Sequence, residues 1–230
     1  MKLNKPFQIS KPAEAYISRN SAILTFFKRS LLIIFLLLVY ISISAFAYVS
    51  TVSETISNSV FRLHVIANSD SQEDQNLKYI VRDNLIKYMN SLTTNITSKQ
   101  EAIKIAQNHK EDFYKIAKQT ITENGYDYDV NIDIGNTYFP TKYYGDISLP
   151  AGYYDALRVE IGEATGQNWW CVMFPPLCFV DMSTGIVPEE SKETIKENLP
   201  TEEYALISNT ENNSLSFKFK LIELFHNKTL

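Results

Sequence analysis

The stretch Phe61-Arg62-Leu63-His64-Val65-Ile66-Ala67, followed at once by Asn68-Ser69-Asp70-Ser71, sets the fold. The first seven residues alternate well enough to read as a β-strand, and the next four are helix N-cap residues, whose side-chain oxygens can accept from a free N–H of the first turn. A strand-to-helix turn is therefore expected here. Beyond it Leu77, Ile80, Val81, Leu85 and Tyr88 recur at spacings of three and four, so one helical face packs inward, with Lys78, Arg82, Asp83 and Lys87 elsewhere on its surface. A second helix opens at Ser98-Lys99-Gln100-Glu101, a capping box, carries Ala102, Ile105, Phe113, Ile116 and Ala117 inward, and stops near Gly125.

After Gly125 the period changes from helix to strand. Val130, Ile132 and Ile134 alternate with Asn131 and Asp133, and Leu157, Val159 and Ile161 alternate with Arg158 and Glu160. Thr165-Gly166-Gln167-Asn168 is turn chemistry before the apolar run Trp169 to Val180, which predicts a hairpin with the strand before it. Pro175-Pro176 cannot donate to a ladder, so the run must break, bend or lie at an edge there. From Pro188 the chain is polar and rich in Glu and Lys until Phe217, Phe219, Leu221 and Ile222, which predicts a mobile connection and a short final element. The reading is an α+β domain over about residues 55–187, two helices packed on a small, largely antiparallel sheet, with a polar tail over 188–230.

Upstream, no charged residue occurs from Leu31 to Ser53, and the heart of that span runs unbroken from Leu31 to Ile41. Lys2, Lys5, Lys11, Arg19, Lys28 and Arg29 precede it against Glu14 alone, so residues 1–30 form a basic segment held in the cytoplasm and residues 54–230 lie outside. The span 31–53 is a signal peptide or a membrane anchor: its apolar heart suits a signal, while its full uncharged length suits a tilted spanning helix. Ala45-Phe46-Ala47 has the small-residue form of a cleavage site, with the cut after Ala47, and both outcomes stay open.

At 230 residues the chain has room for one domain of ordinary size besides these segments. A net charge of -4, with no basic stripe interleaved with aromatics past the N-terminus, leaves a nucleic-acid partner without an electrostatic footprint. Cys171 and Cys178, the only cysteines, flank the Pro-Pro break and form a disulfide candidate, with two buried free thiols as the alternative. A metal or redox site would want other ligands or a C-x-x-C spacing, so no metal or cofactor is implied.

His64, with Asp70 and Asp74 shortly after it, could be a base with an orienting carboxylate, which gives the rival reading of an extracytoplasmic hydrolase. No nucleophile elbow, H-E-x-x-H, Walker loop or Gly-rich dinucleotide turn accompanies it, and a strand histidine making one structural hydrogen bond is the plainer reading. Arg82 with Asp83 and Arg158 with Glu160 read as surface or paired charges. Tyr143-Tyr144-Gly145-Asp146, Pro150-Ala151-Gly152-Tyr153-Tyr154 and Trp169-Trp170 set aromatics beside flexible and rigid residues, a composition shared by cores and by protein-binding surfaces.

Two blocks carry a family resemblance. The first is Arg62 through Ser71, continuing through Asp74-Gln75, Leu77-Lys78 and Val81-Arg82-Asp83. The second is Leu149-Pro150-Ala151-Gly152-Tyr153-Tyr154-Asp155-Ala156-Leu157-Arg158 with Gly166-Gln167-Asn168-Trp169-Trp170-Cys171-Val172-Met173-Phe174-Pro175-Pro176-Leu177-Cys178-Phe179. Together they resemble the stage II sporulation protein R family over roughly residues 60 to 182, with Arg62, His64, Asn68, Ser69, Asp70, Arg82, Asp83, Pro150, Gly152, Pro175 and Pro176 as signature positions. The resemblance implies a signalling protein exported into the space between forespore and mother cell, a ligand rather than an enzyme. Its partner would be a membrane-embedded protease, stage II sporulation protein GA, which processes the sigma-E precursor. No small-molecule substrate is expected. Tyr154, Arg158, Asn168, Trp169 and Trp170 are the candidate contact residues, and a structural envelope protein is the further alternative.

Overall fold

The structure, a computed structural model, describes residues 11–93, 96–178, 187 and 189–208. The chain divides into two compact units, 1–50 and 51–230. A single helix, α1 (Lys11–Ser59), runs through the expected basic and apolar segments. Within it Leu24–Ser59 is long and apolar enough to cross a membrane, with a mean hydropathy of 2.6 in its most apolar window, none of which is buried. The second unit begins just past Ala47, and there Val52 and Ile56 turn inward while Ser57 gives its carbonyl to Lys99 Nζ at 2.7 Å.

Strand β1 (Phe61–Ile66) is buried at every position. It is the inner strand of a mixed sheet ordered β2-β5-β1-β6, with β2 at Val130–Phe139, β5 at Gly152–Ile161 and β6 at Asn168–Phe174. β1 runs parallel to β5 and antiparallel to β6, and β2 runs antiparallel to β5. The α+β reading holds, and two of three pairings are antiparallel. The expected hairpin between the last two strands does not form, because β1 lies between them. A strand enclosed on both faces earns more burial at the centre of a sheet than at its edge. The short hairpin β3 (Lys142–Tyr144) and β4 (Ile147–Leu149) interrupts the connection from β2 to β5, turning at Gly145 with φ of 57°.

The register divides the sheet into two faces. Leu63, Val65, Leu157, Val159 and Trp169 face the helices, while Arg62, His64, Tyr154, Arg158, Asn168 and Trp170 face away from them. The helices are α2 (Gln72–Leu92), α3 (Lys99–Asn108) and α4 (Lys110–Glu123), with Leu77, Val81, Leu85, Ala102, Phe113 and Ala117 in the core. Ser71 caps α2 by accepting from the Asp74 N–H at 3.2 Å, and Ser98 caps α3 by accepting from that of Glu101 at 3.3 Å. Each cap contributes about 1 kcal/mol.

Four details differ from the sequence reading. The second helix is two, broken at His109, whose backbone leaves the helical region and whose Nδ1 lies 2.9 Å from Asp112 Oδ2 and from the Tyr88 hydroxyl. Ile80, expected inside, is 40% exposed. Lys78, expected on the surface, is buried. The polar stretch after Pro188 forms α5 (Glu189–Asn198) and α6 (Thr201–Ser208), tied to the β3–β4 hairpin by a 2.9 Å ion pair between Lys192 and Asp146. The expected final element near Phe217 lies outside the described residues.

Candidate partner-binding cleft

The signature turn is a clamp between two loops. Asp74, on the first turn of α2, accepts from Asn68 Nδ2 at 2.8 Å and Ser69 Oγ at 2.5 Å. Burial pushes its carboxyl pKa up, but the hydrogen bonds from Ser69, Asn68 and Tyr128 outweigh that and hold it below the ordinary value. Across the gap, the loop between β5 and β6 donates to the same turn: Gly166 N to the Ala67 carbonyl at 3.0 Å, and Gln167 N to Asp70 Oδ1 at 2.8 Å. Glycine is required at 166 by close approach, since a Cβ there would overlap the Ser69 carbonyl. The consequence is positional: the clamp sets Gln167 and the start of β6 against Lys78 on α2.

Between β6, α2 and the β3–β4 hairpin opens a cleft of about 380 Å³, with the disulfide-joined Cys171 and Cys178 in its wall. Lys78 Nζ donates to Gln75 Oε1 at 2.5 Å and to the Gln167 carbonyl at 3.0 Å. Burial lowers its pKa, the Arg82 charge lowers it further, and Asp70 opposes both. Trp169 meets the Tyr79 ring edge-on at 5.5 Å and carries the Arg82 guanidinium 4.2 Å above its own ring. Among the described residues its buried indole Nε1–H has no acceptor. Trp170 stacks on His64 and meets the Phe139 ring at 4.7 Å, with Lys142 Nζ 5.8 Å from its ring centroid.

The free edge of β6 is partly closed to another strand. The Tyr144 hydroxyl donates to the Trp170 carbonyl at 3.2 Å, and the Leu177 N–H takes the Val172 carbonyl at 3.0 Å. What the cleft offers is side chains, chiefly aromatic rings and cationic or neutral donors.

Of the candidate contact residues, Asn168, Trp169 and Trp170 line this cleft. Arg158 lies on the sheet face turned away from the helices, opposite His64 in register and 2.6 Å from Glu160. Tyr154 is fully buried, its hydroxyl donating to the Pro150 carbonyl at 2.6 Å and its pKa raised by that burial. Its neighbour Arg62 is equally buried: the guanidinium carbon sits 3.9 Å from the Phe139 centroid and 4.6 Å from that of Tyr154, and Nη2 donates to the Tyr144 hydroxyl at 2.6 Å. Gly152 packs close to Ser53, Arg82 pairs with Asp83 at 2.7 Å, and Pro175-Pro176 end β6. Lys78, Tyr79 and Lys142 were missed as cleft residues. Only the i, i+3 relation of Gln75 to Lys78, which lets an amide oxygen receive a buried ammonium, could have flagged the first of them.

His64 and Asp70 are not brought together. His64 Nε2 lies 2.7 Å from Asn168 Oδ1, an acceptor, so the ring proton sits on Nε2, and among the described residues the buried Nδ1 has no partner. Burial first, then the positive Arg158 and Arg62, bring its pKa down to about 4 against the opposing Asn168 hydrogen bond and Glu160 charge. The imidazole is neutral at pH 7. Among the described residues no group of His, Cys, Asp and Glu is placed to hold a metal ion.

A model of the family described as stage II sporulation protein R matches residues 57–184, more than half of the chain. The chain belongs to the stage II sporulation protein R family. It is 40% identical over 144 residues to the stage II sporulation protein R of Bacillus subtilis strain 168, a match covering 62% of this chain and 64% of that protein. Less than two thirds of the relative's length is therefore spanned. No solved structure matches. The stage II sporulation protein R match takes in the clamp and every residue lining the cleft, so both belong to the part of the chain that ties it to sporulation.

Proposed function

We propose that this member of the stage II sporulation protein R family is an exported signal of sporulation. It crosses the cytoplasmic membrane by its N-terminal helix, acts in the space between forespore and mother cell, and activates the membrane-embedded protease that processes the sigma-E precursor, stage II sporulation protein GA. The observation that carries this reading is the cleft: Trp169 and Trp170, rigid amphipathic rings of the kind that anchor protein interfaces, stand beside Asn168 at the edge of the sheet. A ligand activates an enzyme only by binding its active conformation better than its inactive one, so the role asks for a contact surface.

The function is tested by expressing the chain in a non-sporulating host with and without the protease and the sigma-E precursor, and following precursor cleavage on a blot. Cleavage requiring both proteins, and surviving His64→Gln, is the expected result. An intact precursor although both proteins reach the membrane refutes the proposal.

A further inference from the structure

At the side of the sheet away from β6, the outer edge of β2 is open. Among the described residues the order β2-β5-β1-β6 places no strand beyond it, and no hydrogen bond from outside the β5 ladder reaches the backbone of residues 131–137. The strand pairs with β5 over its whole length without a register shift, and it contains no lysine and no proline, so the devices that ordinarily blunt an edge are missing. The β6 edge differs, since Tyr144 and Leu177 occupy its carbonyls at Trp170 and Val172. The two faces of β2 also differ. Ile134 and Tyr138, toward the helices, stay half-buried, while on the other face Asp133 is exposed and enters no ion pair or hydrogen bond among the described residues.

We infer that residues 214–221 of this chain, which lie outside the described residues, add to the free edge of β2 as an antiparallel strand. Ser214-Leu215-Ser216-Phe217-Lys218-Phe219-Lys220-Leu221 alternates at period two throughout, the pattern of a half-buried strand. Its apolar side chains continue the face of Ile132, Ile134 and Tyr138, and its lysines continue the face of Asp133. Two neighbouring registers keep these faces in step, one setting Lys218 and the other Lys220 opposite Asp133. Position agrees. α6 ends at Ser208 and packs on β4, which stops at Leu149, just before the Gly152 that pairs with Phe139 at the end of β2. Residues 209–213 then span up to about 17 Å, so a strand entering at Phe139 runs back toward Val130. On the apolar side of the same edge, a cleft of about 230 Å³ between α4 and β2, lined by Tyr114, Val130 and Ile132, has room for a large apolar side chain. The inference is independent of the signalling role, because β2 and the partner-binding cleft lie at opposite edges of the sheet.

Hydrogen exchange of the full chain in detergent micelles, read by mass spectrometry on the peptide that contains β2, tests this. Adjacent residues of a strand send their N–H groups to opposite sides, so Lys218→Pro with Phe219→Pro removes a ladder bond in either register. The β2 amides of that double variant are expected to exchange roughly tenfold faster than in wild type. Thr210→Pro, in the connection before the strand, leaves them unchanged. Asp133→Lys accelerates exchange less, roughly threefold, and adding Lys218→Asp and Lys220→Asp to it restores protection. Unchanged exchange in α2 establishes that each variant is folded. Equal β2 exchange in wild type and the double proline variant overturns the inference, as does an equal acceleration by Thr210→Pro. Protection of β2 that rises with protein concentration also overturns it, since a second copy then covers the edge.

Discussion

The imidazole of His64 lies flat against the indole of Trp170, ring centroids 3.6 Å apart and planes within 16°. That stack joins the inner strand of the sheet to the rim of the cleft, so the state of the histidine bears on the binding edge.

Stability is expected to depend on pH through His64. Its pKa falls from 6.5 to about 4 on folding, under burial and the flanking Arg62 and Arg158, with Glu160 opposing. The folded state therefore resists a proton that the unfolded chain accepts. The contribution is fully present above pH 6.5 and is lost as pH falls to about 4, for a total of about 3 kcal/mol. Urea denaturation of wild type and His64→Gln across that window measures it. The variant's stability falls less steeply, and parallel curves would contradict the account.

The clamp predicts a ranking of glycine substitutions. Gly166→Ala forces backbone against backbone at Ser69 and is expected to cost about 3 kcal/mol. Gly162, at φ 57°, meets only the Asn68 side chain, so Gly162→Ala costs less, about 1–2 kcal/mol. Thermal melts of the two variants give the order directly, and the reverse order would refute the clamp.

The disulfide between Cys171 and Cys178 closes a short loop. Reduction, or replacing both residues by Ser, is expected to destabilise the domain by about 2–3 kcal/mol through restored freedom of the unfolded loop. Melting curves with and without reductant test this, and a double Ser variant as stable as wild type would contradict it.

Arg62 is fully buried, and among the described residues its Nε and Nη1 have no hydrogen-bond partner, so its charge is met chiefly by the Tyr144 hydroxyl and the faces of Phe139 and Tyr154. Desolvation of a guanidinium outweighs such contacts. Arg62→Met is expected to match wild-type stability or exceed it by up to about 2 kcal/mol, whereas Arg62→Ala opens a cavity and loses about 3 kcal/mol. A Met variant as unstable as the Ala variant would show that the charge itself holds the core.

What the sequence made legible was local. Ser71 and Ser98 cap helices because an N-cap needs only its own next three residues. The place of β1 between β5 and β6 was not legible, since strand order depends on partners about a hundred residues away. Arg62 and His64 alternate with apolar residues along β1, a pattern that ordinarily puts the polar side chains on an exposed face. They are buried because Phe139, Tyr144, Tyr154 and Trp170, from four other strands, cover that face. Lys78 misled for the opposite reason: a lysine on a helix reads as solvated, and the Gln167 carbonyl that receives it comes from a distant loop. In the cleft, Asn168, Trp169 and Trp170 were foreseeable as adjacent residues, while Lys142 and Tyr79 required the tertiary fold.

The most direct measurement is site-specific photocrosslinking during precursor cleavage, with a photoreactive phenylalanine at Tyr143 on the cleft rim or at Tyr114 on α4, beside a separate cleft against β2, two sites that are 49% and 39% exposed. The account predicts a crosslink to the membrane protease from position 143 and none from position 114. Active cleavage with a crosslink from 114 alone would contradict it.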